Sequence, residues 1–272
     1  MTGPDDGVVE IEGGAISWEA AGEGPAIAFL HPGLWDRRTW DEQFERLSKT
    51  YRVVRYDARG YGRSSRPEPG RPYSHVQDLF AVLDAVGADR AALVGCSMGA
   101  ATAIDAALTD PDRVTALVLA GSGINGDFDL TSEEETELER LDVPVEEAME
   151  AGDPERAQDA RLRIWAPLGT DDPAGARIRQ IAFDNLHELT MDESARRDIA
   201  PSAIDRLEAI ASPTLVLPAD HDPLAYRRVS AILAERIPNA RLVQIPETDH
   251  VVNMRRPAEF DRVVLGFLGE VL

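Results

Sequence analysis

Three features of the 272-residue sequence predict an α/β fold, a mostly parallel sheet with helices on both faces and an inserted all-helical block. Short apolar runs alternate with amphipathic helical stretches from Ala26 to Ala120, as buried parallel strands and crossover helices require. The alternation stops across roughly Ile124–Ser202, where no convincing strand occurs, and resumes at Thr214. Within it, Ala91-Ala92-Leu93-Val94-Gly95-Cys96-Ser97-Met98-Gly99-Ala100 reads as a strand, a sharp turn and a helix of small residues.

In order, Val8–Glu12 and Ala15–Ala20 form an opening hairpin around Gly13-Gly14, and Ala26–Leu30 is a strand buried on both faces. Arg38–Lys49 is an amphipathic helix that turns Trp40, Phe44 and Leu47 toward the sheet. Tyr51–Tyr56 is a strand leading into a glycine-rich loop, Asp57–Ser64, and Ser74–Val86 is a helix with Val76, Leu79, Phe80, Leu83 and Val86 on one face. After the Ser97 unit, Val114–Ala120 is a strand ending at Gly121-Ser122-Gly123. Helical pieces follow at Thr131–Leu141, Val145–Ala151, Pro154–Ala166 and Ala174–Leu189, with Asp153-Pro154 as N-cap and first helical residue. Thr214–Leu217 and Arg241–Ile245 are the last strands; Ala225–Ile237 and Pro257–Val271 are helices. The expected division is a core of residues 1–123 and 203–272 and a helical unit of residues 124–202.

The formal net charge of −21 argues against nucleic acid and anionic membranes as partners. No run approaches the ~18 apolar residues of a membrane span. The opening Met1–Asp6 is acidic with no basic or apolar signal segment, so a cytoplasmic protein is the expectation. Cys96 is the lone cysteine, which excludes an intramolecular disulfide and argues against a thiolate zinc site. The acidic stretch Ser132–Glu150 is read as a solvated helical face.

Gly95-x-Ser97-x-Gly99 at a strand-to-helix corner pushes a serine hydroxyl out of the sheet, with the glycines admitting a turn too tight for a Cβ. Such a hydroxyl needs a base. Of His31, His75, His187, His221 and His250, His250 is preferred because it lies just past the last strand, where reacting groups of open α/β sheets gather. The histidine needs a carboxylate, and Pro218-Ala219-Asp220-His221-Asp222-Pro223 offers Asp222, with Asp220 as competitor; Asp222-Pro223 opens the next helix, which favours Asp222. The backbone N–H of Met98 and that of Leu34, beside Gly33, are the candidate oxyanion donors. Trp35, Trp165 and His187 are candidate substrate-pocket residues, while Asp57 and Arg59 are assigned to a structural loop.

His31-Pro32-Gly33-Leu34, Asp57-x-Arg-Gly-x-Gly-x-Ser64, Gly95-x-Ser97-x-Gly99, Asp222 and His250, in that order, resemble the α/β-hydrolase superfamily over essentially the whole chain. Within it, the chain is similar to the bacterial enol-lactonase and C–C-bond hydrolase branch. The resemblance implies an eight-stranded sheet with an antiparallel second strand and a cap over Ser97. Haloalkane dehalogenases and epoxide hydrolases of this fold carry aspartate where this chain has Ser97. The expected activity is cofactor-free and metal-free hydrolysis of a small ester or lactone through an acyl-enzyme. The alternatives are C–C bond hydrolysis, perhydrolysis or a lyase or cyclase step with the same triad, and a ligand sensor that retains it.

Overall fold

The computed structural model describes residues 4–126 and 128–272. β1 (Asp5–Ile11) and β2 (Gly14–Ala21) form the opening hairpin, followed by β3 (Ala26–Leu30), α1 (Asp41–Leu47), β4 (Arg52–Tyr56), α2 (His75–Ala85), β5 (Ala91–Cys96), α3 (Met98–Thr109) and β6 (Val114–Ala120). Then come α4 (Ser132–Glu150), α5 (Pro154–Trp165) and α6 (Pro173–Asp184), before β7 (Thr214–Leu217), α7 (Leu224–Arg236), β8 (Ala240–Leu242), α8 (Val252–Arg255) and α9 (Pro257–Val271). The eight strands form one sheet in the order β1-β2-β4-β3-β5-β6-β7-β8. β2 runs antiparallel to both its neighbours, β1 and β4, and the pairings from β4 to β8 are parallel.

The two-residue period of the strands divides the apolar side chains between two faces. From β3, Ile27 and Phe29 join Val53, Val94, Val118 and Leu215 against Trp40, Phe44 and Leu47 before and within α1, and Phe260, Val264 and Phe267 of α9. Ala28 and Leu30 point the other way, with Leu93, Leu119 and Val216, onto α2, α3 and α7 through Leu79, Leu83, Ile104 and Leu233. Each large buried side chain contributes about 1.5–3 kcal/mol, so this double-sided burial is the main support of the sheet.

Several elements differ from the expected ones. Residues 131–151, expected as two helices, form the single helix α4, with Pro144 inside it. A capping box between Thr131 and Glu134 starts α4, Arg228 of α7 holds the Glu134 carboxylate, and the helix continues through Pro144 although its ring removes one backbone donor. The first turn before α1 is a tight 3-10 turn, Arg37–Trp40, drawn in by the Asp36 carboxylate on the Arg38 N–H. β8 ends at Leu242, short of Ile245: Val243 makes one more bond to β7, after which the Gln244 side chain turns to the Pro218 carbonyl. α8 has no counterpart in the sequence reading.

The helices between β6 and β7 are fastened to the loops above the sheet. Trp35 donates its indole N–H to the Ile178 carbonyl of α6 at 2.9 Å. Asn185 donates to Asp36 and accepts from the Gly62 N–H, and His187 meets the Gly60 carbonyl at 2.9 Å. Arg255 pairs with the fully buried Asp249 and donates to the Gly169 carbonyl at 2.7 Å, joining the His250 loop to the α5–α6 connection. On the far side α4 leans on α7 through Glu134–Arg228 and through the Leu224 N–H to Glu137, 2.6 Å. Among the described residues no helix is long and apolar enough to cross a membrane.

Two outcomes are expected. Arg255→Met strands the Asp249 carboxylate in the interior, and urea unfolding should show a loss of about 3–5 kcal/mol; an unchanged midpoint would contradict the fastening. Among the described residues neither ring nitrogen of the buried His75 is paired, and burial, aided by the Arg196 and Arg59 charges, pushes its pKa down to about 3. The unfolded chain, with an ordinary histidine near about 6.5, therefore takes up a proton that the folded chain refuses, so stability falls as pH drops below about 6.5 at up to ~1.4 kcal/mol per unit. Relative to wild type, His75→Leu should flatten the stability–pH curve between pH ~6.5 and ~3, as read by denaturant unfolding; parallel curves would refute this.

Candidate active site

The turn between β5 and α3 is set by two close backbone approaches. A Cβ on Gly95 would lie 2.4 Å from the Gly99 carbonyl oxygen, and one on Gly99 would lie 2.1 Å from that of Leu30, so only glycine fits at either place. Ser97 is forced to φ 52°, a region L-residues avoid at a cost of order 1–3 kcal/mol. Its N–H donates to the Ala120 carbonyl at 3.1 Å and its carbonyl accepts from Ala101 at 2.9 Å, which pins the corner between β6 and α3. Leu34 is the second strained residue, at φ 69°, in the loop after β3. Among the described residues neither the Leu34 nor the Met98 amide donates to a protein acceptor.

Asp222 ends the loop after β7, and its Oδ1 accepts from His250 Nδ1 at 2.9 Å, with both side chains almost wholly buried. With Nδ1 carrying the proton toward the carboxylate, Nε2 presents its lone pair. The imidazole is brought to the Ser97 corner by the backbone: the His250 carbonyl lies 3.1 Å from Sγ of Cys96, the residue before Ser97. Gly121, at φ 46°, makes room for this, since a Cβ there would stand 2.9 Å from the His250 carbonyl oxygen and 3.4 Å from Asp222 Oδ2. Asp220 is spent elsewhere: it accepts from the Glu247 N–H at 2.7 Å and from the Gln244 side chain, bracing the loop that carries His250.

The other histidines are committed differently. His31 accepts from the Ala58 N–H through Nε2 at 2.9 Å and faces the Pro32 carbonyl through Nδ1 at 2.8 Å, and burial lowers its pKa, so it is a neutral structural link. His75 is buried with neither ring nitrogen hydrogen-bonded among the described residues, and His221 is exposed. Cys96 is sealed in the core, where burial raises its thiol pKa and the thiol proton points at the His250 carbonyl. Asp57 accepts from the Arg37 and Arg63 N–H groups, and Arg59 makes a buried two-point pair with Asp78.

Of the three pocket candidates, Trp165 lies against the imidazole, with ring centroids 4.5 Å apart. Trp35 is fully buried with its N–H used on α6, and His187 holds the Gly60 carbonyl, so both are engaged in fastening the helices. Tyr226 was not singled out from the sequence; its ring stands 4.8 Å from Trp165 and 5.7 Å from His250, edge-on to both. Its position one turn into α7, past Asp222-Pro223, was the available signal. The Asp249–Arg255 pair gave no such signal, because an acid and a base six residues apart across a loop predict no contact.

A model of the Alpha/beta hydrolase family matches residues 27–263. The chain is 32% identical over 253 residues to rhodomycin D methylesterase DauP of Streptomyces sp. strain C5, covering 83% of this chain and 85% of that one. It is 30% identical over 248 residues to 2-hydroxymuconate semialdehyde hydrolase of Pseudomonas putida, over 83% and 79%. Among solved structures, the enol-lactonase from Burkholderia xenovorans LB400 superposes with a TM-score of 0.75 at 25% identity, over 97% of this chain and 100% of that one. The eight-stranded sheet with its reversed second strand and the family match over most of the chain agree: this protein belongs to the alpha/beta hydrolase family and is a hydrolase.

Proposed function

We propose that the protein hydrolyses a small carboxylic ester or lactone through an acyl-enzyme on Ser97. The observation that carries this reading is the 2.9 Å Asp222–His250 pair, held beside the strained Ser97 corner with its other ring nitrogen making no hydrogen bond among the described residues. In the proposed first step Ser97 Oγ attacks the carbonyl carbon as its proton passes to His250 Nε2, and the imidazolium is stabilised by Asp222. The Leu34 and Met98 N–H groups bind the oxyanion, the latter helped by the dipole of α3. The tetrahedral species expels the alkoxide, which takes the proton from His250; in a lactone the alcohol stays tethered to the acyl group. Water then attacks the acyl-enzyme by the same route and regenerates Ser97. Residues 124–202 serve as a cap over this site on the core formed by residues 1–123 and 203–272, with Trp165 closing over the imidazole.

Similarity to a methylesterase and an enol-lactonase supports carbonyl–oxygen cleavage as the chemistry. Ser97→Ala should lower kcat on p-nitrophenyl acetate by at least ~10³ while keeping its unfolding midpoint, and Asp222→Asn by about 10³–10⁴ through the wrong imidazole tautomer. A fluorophosphonate should label wild type at Ser97 and leave the alanine variant unlabelled. Undiminished turnover by Ser97→Ala would overturn the mechanism, whereas cleavage of a vinylogous diketone with no ester hydrolysed would move the same residues to C–C bond hydrolysis.

A further inference from the structure

A cavity of about 340 Å³ lies beside the site, lined chiefly by Gly123, Ile124, Phe128, Leu138, Tyr226 and Val229. That volume is within the ~300–1,000 Å³ of small-molecule sites. It borders the reacting groups at two points. A Cβ on Gly123 would stand 3.0 Å from the Ser97 carbonyl oxygen and 3.7 Å from the Met98 nitrogen, so this lining residue packs directly against the backbone of the Ser97 corner. Tyr226, on another wall, faces the His250 ring at 5.7 Å. Tyr226 is therefore shared between this cavity and the aromatic cluster in which Trp165 lies 4.5 Å from the imidazole.

The chemistry of the walls selects the occupant. Among the described residues no basic side chain lines the cavity. Arg228 lies over the Phe128 ring at 4.8 Å, but its guanidinium is spent on Glu134, through Nε at 2.5 Å, and on the Asp129 carbonyl at 2.6 Å. Burial, with the nearby carboxylates of Asp222 and Asp142, pushes the Tyr226 hydroxyl up to about 12, so it stays neutral in a negative field. A carboxylate placed here would lose its water and find no cation, whereas methylenes would gain from burial.

Building on the ester-hydrolase reading above, we infer that this cavity is the specificity subsite and takes an uncharged apolar substituent of the substrate, selecting neutral medium-chain esters or lactones over those bearing a carboxylate. The acyl and alcohol portions share that chemistry, and two substrate series tell them apart.

The test uses p-nitrophenyl acetate, butyrate and hexanoate beside ethyl, butyl and hexyl acetate. Along one series kcat/KM should climb about fourfold per added methylene, the equivalent of ~0.8 kcal/mol. A p-nitrophenyl hemisuccinate should be at least tenfold poorer than the butyrate. Leu138→Trp, at a half-buried position of α4, fills the space and should cut the long-to-short preference by at least tenfold, while Phe128→Ala should move the optimum to longer chains. Binding of the favoured six-carbon ester to Ser97→Ala, measured by calorimetry, reads the cavity without turnover and should weaken at least tenfold when Leu138→Trp is added. Equal preference in wild type and Leu138→Trp, hemisuccinate turned over as well as butyrate, or binding indifferent to Leu138→Trp would each overturn the inference. Failure of wild type to hydrolyse any ester, with that binding pattern intact, would instead count against the ester-hydrolase reading alone.

Discussion

The approach of α3 to β3, with Gly99 against the Leu30 carbonyl, is the constraint on which the rest of the molecule depends. A crossover helix normally rides on side chains about 10 Å above its sheet; here the first turn rests on backbone. That is possible because α3 opens Met-Gly-Ala-Ala-Thr-Ala and packs with almost no side-chain bulk against β3, β5 and β6. The closeness leaves no room for an ordinary turn, and Ser97 absorbs the difference in its positive φ. The strain persists because both flanks of the corner are locked by hydrogen bonds and by the double-sided core.

From that corner outward the site is assembled by small residues and paired charges. Gly121 and Gly123, after β6, let the His250 loop and the Ser97 corner approach the end of that strand, where the buried Ser122 hydroxyl turns back to the Leu119 carbonyl. Asp220 and Thr248 brace the His250 loop from within, and the Asp249–Arg255 pair braces it against the α5–α6 connection. The loop is thus held by groups that, among the described residues, leave the imidazole hydrogen-bonded to Asp222 alone and flanked by two aromatic rings.

The helical insertion is fixed unevenly. On the α6 side Trp35, Asn185 and His187 tie it to the loops after β3 and β4, and Arg38 reaches Asp184. On the α4 side it rests on α7, with the 340 Å³ cavity between them. Buried ties of this kind cost desolvation, and their directionality fixes one arrangement of helices over the sheet rather than several. The acidic surplus of the chain therefore coexists with arginines that are mostly engaged: Arg37, Arg55 and Arg59 sit in ion pairs at the strand ends and do not form an anion site.

The order of strands and crossover helices, the glycine-flanked serine and the pairing of His250 with Asp222 were legible because each is local: an apolar run, a turn too tight for a Cβ, a titratable residue just past a strand. What could not be read depends on distant surfaces. The stretch Thr131–Ala151 reads as two helical pieces, whereas α4 runs unbroken through Pro144, with its first turn held by the Thr131 cap and by Arg228 of α7. Asp220 and Asp222, two residues apart, are separable in space only because one bonds a loop amide and the other an imidazole. Trp35 and His187 became fasteners, and Tyr226 came to face the imidazole, because helix packing angles decide where their rings end, and those angles are not encoded in spacing along the chain. By itself the sequence determined the sheet, the glycine-flanked corner and which residues are candidates to meet there, since these follow from backbone sterics and strand periodicity. Tertiary structure alone decided which side chains enclose them, because that rests on contacts between elements far apart in the chain.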